Sequence, residues 1–438
     1  MVLTDFQTDM QKPASQPQPI RVGILGLGTV GTGVVKLLSQ FEDIIITRIA
    51  VQDIKKPRKI SSEILTTDVD AIINSPDVDI VVEVMGGKDL PFQLIKKALE
   101  NGKHVVTANK VVIAAHGPEL FDSANRNQRS LLFEAAVAGG IPIIVPLKMS
   151  LAGNRICQIA GILNGTTNYI LTRMEQAGLD FSQALAEAQQ KGFAEADPTA
   201  DVEGHDAASK IGILASIAYK TCVDQSQIHT EGISSIGAED IDMAKTLGYA
   251  IKLIGLAKSS EENAVDVRVH PMLVPLNHPL AQVQFENNAI FVKGDAVGDV
   301  MFYGKGAGEL PTASAVVGDI MMLARTLQQG QALVAGMQFS ASHNVPLLPM
   351  AKTTNAYYIR LETEDMPGVI GNLGMACGEH NVSLDGVMQK GTHPETHSAT
   401  IVLLTHDVQE ADMQAALDVI RNQPSTRKIH TVLRVFAS

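Results

Sequence analysis

Three glycines at the junction of a strand-like run and a helix-like run constrain this chain more than any other feature. Ile20 to Leu25 is a short β-prone stretch, Gly26-x-Gly28-x-x-Gly31 follows, and Val34, Val35, Leu37 and Leu38 begin an apolar helical pattern. The three glycines serve a tight turn, close approach of backbone to a pyrophosphate, and close packing of the new helix on the strand, in that order. The helix start adds free N–H groups and the positive end of its dipole. Strand before and helix after supply the context that a bare glycine pattern lacks. The expectation is therefore a dinucleotide site on Gly26, Leu27, Gly28, Thr29, Val30 and Gly31.

From Ile20 to about Pro146 strands and helices alternate, with further strands at Ile44 to Val51, Asp79 to Met85 and His104 to Ala108. Leu90 to Glu100 reads as a helix closed by Asn101-Gly102. Near-continuous apolar strands separated by helices imply a parallel sheet covered on both faces, with ligands beyond the strand C-termini. That rim carries Gly86, Gly87, Thr107, Asn109 and Lys110. At the tip of the second strand, Asp53 suits a ribose diol, whereas Lys55, Lys56 and Arg58 suit a 2′-phosphate. The reading leans to NADP, NAD remaining open, with a solvated basic loop as the plain alternative. Glu134 stands in apolar, Gly-rich surroundings where a bare carboxylate is costly. It is either bonded to backbone N–H groups or part of a cation site completed by carbonyls of the Val137 to Ile141 turn.

The length of 438 residues allows about two to three domains. A formal net charge of −12 argues against nucleic acid or an anionic membrane as the main partner. Cys157, Cys222 and Cys377 lie far apart without metal spacing and read as reduced thiols of a cytoplasmic protein. Met1 to Pro19 reads as a flexible polar arm with no signal-peptide pattern, and no apolar run is long enough for a membrane span. Asn164-Gly-Thr matches a glycosylation acceptor, which a cytosolic location makes irrelevant.

After Arg155 the rhythm changes. Arg155 to Asn168 alternates and ends in a polar turn, Tyr169 to Gln176 and Phe181 to Lys191 read as helices, and Gly192 closes the second. Val265 to Val269, Leu280 to Gln284 and Ala289 to Val292 read as strands, so a mixed or antiparallel second domain is expected. Between them, Gly192 to Lys210 packs five acids, His205 and Lys210 into a loop that becomes a helix. Asp206 and Lys210 are four residues apart and share a helix face. Such a pair is either an ordinary salt bridge or, where the apolar helix emerges, a site whose lysine is tuned by burial or by a second cation such as Lys110. Gly304 to Thr312 resembles a second glycine loop entering a helix that returns to the nucleotide domain.

Gly26-Leu-Gly-Thr-Val-Gly-Thr-Gly-Val34, Val82-Glu-Val-Met-Gly-Gly87, Val106-Thr-Ala-Asn-Lys110, Phe133-Glu-Ala-Ala-Val137, Gly161-Ile-Leu-Asn-Gly-Thr-Thr-Asn168, Glu195-Ala-Asp-Pro198, Gly294-Asp-Ala-Val-Gly-Asp299 and Gly306-Ala-Gly308 occur in an order that resembles homoserine dehydrogenase over Ile20 to about Leu327. The resemblance implies NAD(P)-linked interconversion of L-homoserine and L-aspartate 4-semialdehyde in threonine, methionine and isoleucine biosynthesis. It implies Lys210 as the proton-transferring group, Lys110 as a second active-site lysine, and Glu195, Asp201 and Asp206 as substrate-binding acids. Cofactor contacts fall on the glycine loop, Thr107, Lys110, Gly192 and Gly308. A monovalent cation site, for sodium, falls on Glu134, Val137, Gly139 and Ile141. Position 52, basic in many NADP-using relatives, is Gln here.

Beyond an irregular strap over residues 336–354, which includes His343, Asn344, Pro346 and Pro349, the order is βαββαβ, which is ferredoxin-like. Asp365-Met-Pro-Gly368 followed by a helix resembles an ACT domain, a regulatory module that binds amino acids and pairs edge to edge. Threonine is the effector this implies, with Gly368, Val369 and Asn372 as contacts; a module serving only oligomerisation is the alternative. The whole is an α/β chain: a Rossmann nucleotide-binding domain (20–146, completed by 305–335), an inserted α+β catalytic and dimerisation domain (147–304), and a ferredoxin-like ACT domain (355–438). It is expected to work as a homodimer or homotetramer, with no fused aspartate kinase ahead of Ile20. An acyl-phosphate-forming aldehyde dehydrogenase would need a cysteine nucleophile with a partner base, and Cys157 has no histidine nearby in sequence. A non-catalytic nucleotide and amino-acid sensor would leave Lys110, Glu195 and Lys210 without a role.

Overall fold

The computed structural model describes residues 18–58, 60–260, 262–339, 345–393 and 395–437. Most of the N-terminal arm, and His343 and Asn344 of the strap, lie outside them. In the first unit β1 (Ile20–Leu25), α1 (Thr29–Leu38), β2 (Ile44–Ala50), β3 (Leu65–Thr66), α2 (Asp70–Ile73), β4 (Ile80–Glu83), α3 (Asp89–Glu100), β5 (His104–Thr107), α4 (Lys110–Arg126) and β6 (Leu131–Leu132) follow one another. Their sheet runs β3-β2-β1-β4-β5-β6 with every pairing parallel. Val22, Ile24, Val81, Val82, Val105 and Val106 are fully buried, as a sheet covered on both faces demands. Strand order reverses between β1 and β4, so a crevice opens at their C-terminal ends.

The second unit contains β7 (Ile156–Ile162), α5 (Gly165–Ala177), α6 (Phe181–Gln190), α7 (Thr199–Val202), α8 (His205–Tyr219), β8 (His229–Thr230), α9 (Ala238–Thr246), β9 (Tyr249–Ser259), β10 (Val265–Pro275), β11 (Asn287–Gly294) and β12 (Gly298–Lys305). Then α10 (Glu309–Gln328) returns to the first unit. It packs on α1 at Gly33, where an added Cβ would lie 2.8 Å from that of Ala313. Two details differ from expectation. The helix expected from Tyr169 begins at Gly165, because the Asn164 side chain caps it. Leu280 to Gln284 is no strand: His278 accepts the Leu280 N–H and Pro279 sets the first φ of a short 3₁₀ turn, Pro279–Gln282.

The third unit is β13 (Thr354–Asn355), β14 (Tyr357–Glu364), α11 (Val369–Glu379), β15 (Leu384–His393), β16 (Ser398–Thr405), β17 (Val408–Gln409), α12 (Glu410–Arg421) and β18 (Thr426–Val435). Its sheet, β18-β14-β16-β15, is antiparallel throughout. On its other side β18 pairs in parallel with β10, Met272 opposite Arg434 and Leu273 opposite Val435. One hydrogen-bonded path therefore runs β12-β11-β7-β9-β10-β18-β14-β16-β15 through two units. Buried Arg434 locks the seam, donating to Glu410 at 2.8 and 2.9 Å and to Glu231 at 2.9 Å. Arg360 likewise reaches from β14 to Asp240 of α9 at 2.6 Å.

Candidate active site

The glycine loop meets its three demands. Gly26 leaves β1 with φ +103°, where a Cβ would press on the Val84 carbonyl at 2.8 Å. A Cβ on Gly31 would strike the Gly26 carbonyl, so the helix start can lie on the strand end only without one. At Gly28 a Cβ would meet nothing, which leaves bare backbone facing open space. Gly28 caps α1 with no side-chain acceptor, and among the described residues nothing accepts from the N–H groups of Thr29, Val30 and Gly31. These unclaimed donors fit a pyrophosphate.

Across the crevice, Glu83 ends β4 fully buried and accepts from the Thr107 hydroxyl at 2.6 Å and the Met85 N–H at 2.8 Å. The Thr107 oxygen accepts the Asn109 N–H, and Asn109 donates to the Gly87 carbonyl and caps α4. Burial pushes the Glu83 carboxyl upward. Thr107, expected to touch the cofactor, is itself fully buried within this network. Past the second strand, the Asp53 carboxylate accepts the Lys55 N–H and Arg58 turns back onto the Asp53 and Lys56 carbonyls. Among the described residues the ammonium groups of Lys55 and Lys56 have no partner.

Lys110 opens α4 and Lys210 lies in the second turn of α8; Asp206 joins them. Its Oδ1 is 2.5 Å from Lys110 Nζ and its Oδ2 accepts from Lys210 Nζ at 2.7 Å. Lys210 is 8% exposed and also donates to the Leu163 carbonyl at 2.6 Å. Burial pushes the Asp206 carboxyl up, but the charges of Lys210 and Lys110 outweigh it and hold it well below the usual carboxylate range. Asp206, expected to bind substrate directly, thus has both oxygens engaged. Asp201 is half-buried, and burial, reinforced by the charge of Asp206, raises its carboxyl. Glu195 is exposed on a loop tied to α5 through Thr166 and the Phe193 carbonyl, and its carboxylate has no partner among the described residues. Gly192, at φ +76° on the same loop, again leaves room for a Cβ. An apolar cavity of about 580 Å³ lies between α4 and α8 beside Cys222 and Phe339, lined by neither lysine.

Of the two readings of Glu134, the backbone-bonded one holds for its side chain: the carboxylate accepts from Ile143, Ile144 and Val145 at 2.5, 2.7 and 2.7 Å. Oε1 thereby takes two of these donors and Oε2 one. The buried turn above it differs. Among the described residues nothing donates to the carbonyls of Val137, Gly139 or Ile141, a set of oxygens that fits a hard cation. Gly140 and Gly139 pack against the Lys305 to Ala307 segment, just ahead of Gly308 at the start of α10. In the third unit a cavity of about 400 Å³ is lined by Asp365, Gly368, Val369 and Gln389. Asn372, expected to join them, is not among its lining residues; its N–H donates back to Gly368.

Family comparisons follow the same three units. The model of the homoserine dehydrogenase NAD-binding domain matches residues 26–134, that of homoserine dehydrogenase 142–321, and that of the ACT domain 357–425. A homoserine dehydrogenase of Synechocystis is 45% identical, over 95% of this chain and 100% of its own length. The chain belongs to the homoserine dehydrogenase family. The homoserine dehydrogenase of Corynebacterium glutamicum is 43% identical over 95% of both chains. The crystal structure of the Thiobacillus denitrificans homoserine dehydrogenase superposes with a TM-score of 0.89 at 40% identity, covering 96% of this chain and 98% of that one. A hyperthermophilic archaeal homoserine dehydrogenase in complex with NADPH gives a TM-score of 0.60 at 25% identity, over 69% of this chain and 97% of that one. This member of the family is accordingly an oxidoreductase with an NAD(P)-binding Rossmann domain and an ACT domain. Sequence reasoning missed Glu83, although an acid ending the apolar run Ile80-Val-Val-Glu83 was a visible signal.

Proposed function

We propose that this homoserine dehydrogenase interconverts L-homoserine and L-aspartate 4-semialdehyde with Lys210 moving the proton. The observation that carries this is a buried lysine with two of its three ammonium N–H bonds committed, to Asp206 and to the Leu163 carbonyl. The third is left for a substrate oxygen. When bound, the nicotinamide supplies or accepts the hydride. In reduction Lys210 gives its proton to the oxygen that becomes the alcohol; in oxidation it takes that proton back. Lys110 offers a second positive charge to the oxygen as charge develops on it. Glu195 and Asp201 hold the substrate ammonium and so orient the reacting carbon, while Asp206 fixes the two lysines.

Cofactor is held by the loop Gly26 to Gly31, Lys110, Gly192 and Gly308, with Thr107 acting from inside the rim. NADP is preferred: Asp53 is engaged by its own loop while Lys55 and Lys56 are free for a 2′-phosphate, and an archaeal relative was solved with NADPH. A monovalent cation, sodium, is held by the carbonyls of Val137, Gly139 and Ile141, with Glu134 bracing the turn; it supplies positive charge where α10 meets that turn. The cavity beside Gly368 and Val369 takes threonine, making the ACT domain a feedback sensor for threonine, methionine and isoleucine biosynthesis. A reducing cytoplasm is the proposed location, because Cys157, Cys222 and Cys377 lie far apart in the sequence without metal spacing. Among the described residues no helix is long and apolar enough to cross a membrane. A homodimer or homotetramer is the proposed assembly.

The test is oxidation of NADPH and of NADH by aspartate semialdehyde, with and without threonine, in the native enzyme and in Lys210→Met. NADPH should be used faster, threonine should slow turnover, and Lys210→Met should be nearly inactive. Native turnover in that variant would remove Lys210 from the chemistry.

A further inference from the structure

One amide side chain touches two of the three acids of the site, Asp201 and Asp206. Asn164 sits in the turn between β7 and α5, 5% exposed. Its Oδ1 accepts the Thr167 N–H at 2.9 Å as the cap of α5, which fixes the acceptor end of the amide. Nδ2 therefore points the other way, donating to Asp201 Oδ1 at 2.7 Å and to Asp206 Oδ2 at 2.9 Å. The carbonyl just before it, Leu163 O, is the one that receives Lys210. A two-residue turn thus grips the lysine by a carbonyl, and the carboxylate on which both lysines rest by an amide.

Capping α5 does not require an amide, because serine or aspartate caps a helix about as well as asparagine. What neither supplies at neutral pH is a pair of N–H donors shared by two neighbouring carboxylates, whose like charges otherwise push them apart. We infer that Asn164 is a positioning residue for the reaction, its amide setting Asp206, and through it Lys210 and Lys110, at a fixed place relative to Asp201. The inference rests on the proton-transfer role proposed for Lys210.

Asn164→Ser and Asn164→Asp both keep a cap acceptor and both lose the shared donor. The experiment measures kcat and KM of the full-length enzyme from pH 6 to 9, relative to native, together with NADPH binding by fluorescence, and includes Lys210→Met. Displacing a reacting group by a fraction of an ångström to 1 Å costs up to about 10²-fold, so kcat of Asn164→Asp should fall about 10- to 100-fold at pH 8. NADPH binding should persist. As pH falls, the activity of Asn164→Asp relative to native should recover, because a protonated carboxyl regains a donor; Asn164→Ser should lose kcat without that recovery. Native kcat and pH profile in both variants, beside an inactive Lys210→Met, would overturn the inference and leave Asn164 a cap alone. Native turnover in Lys210→Met would remove the reading beneath it and the inference with it.

Discussion

At position 210 a lysine side chain is buried where α8 meets β7, and Asp206 pairs with its Nζ at 2.7 Å. Exchanging Lys210 for Met should lower kcat by about 10²-fold or more while NADPH binding survives, measured by steady-state rates and fluorescence titration. His104 provides a second residue-level outcome. It is buried at the start of β5, accepts the Ser130 N–H, and burial, aided by the charge of Arg129, lowers its pKa to about 4. A histidine held neutral in the native state loses stabilisation as pH falls from the unfolded value of about 6.5 toward 4, by at most about 3 kcal/mol. His104→Asn keeps an acceptor for Ser130, so its urea midpoint should vary less between pH 7 and 4.5 than that of the native enzyme. Which of these residues were legible follows from distance along the chain. Asp206 and Lys210 are four apart and announce their shared face; Lys110 was placed on the ligand rim by its position just past a strand's C-terminal end. Asn164 acts across 37 and 42 residues, which no local pattern encodes, and Glu83, which acts across 24, was marked only by its place at the end of an apolar run.

Among elements, the fingerprint loop separates folding from binding within six residues. Gly28→Ala adds a methyl where nothing stands, so the melting temperature should hold while KM for NADPH rises. Gly31→Ala drives a methyl into the Gly26 carbonyl and should destabilise by about 1–3 kcal/mol. Thermal melts set beside NADPH titrations distinguish the two. The four inner strands of the parallel sheet around the loop were readable because they are near-continuous apolar runs between helices; its two-residue edges, β3 and β6, are too short to show. Among the longer strands, β9 and β12 were not readable. β9 carries Lys252 in its middle, a lysine 1% exposed whose charge is absorbed by the Val283 carbonyl and Asn168, and it breaks the apolar run that would have marked a strand. β12 is largely exposed and gives little hydrophobic signal. Leu280 to Gln284 misled in the other direction: Leu280, Ala281 and Val283 are buried as a strand's residues would be, but Pro279 and the His278 cap wind them into a turn.

Across the whole molecule the third unit is stitched to the second by backbone as well as by charge. Arg434→Met would leave Glu410 buried and unpaired at the seam, a loss of about 3–5 kcal/mol. Urea unfolding should show that loss, and hydrogen exchange should show it first in β10 and β18. The order of elements in this unit was legible one by one, whereas its seam was not: β10 and β18 are separated by some 160 residues, and only the folded chain brings their edges together.

The shared strand also decides how the effector role proposed for the third unit can be tested. Cutting the chain before residue 355 would strip β10 of its neighbour and leave the backbone of Met272 and Leu273 bare to any passing extended chain. A truncated enzyme should therefore aggregate, and the effector role proposed for the third unit is better tested by reshaping the cavity beside Val369 than by amputation.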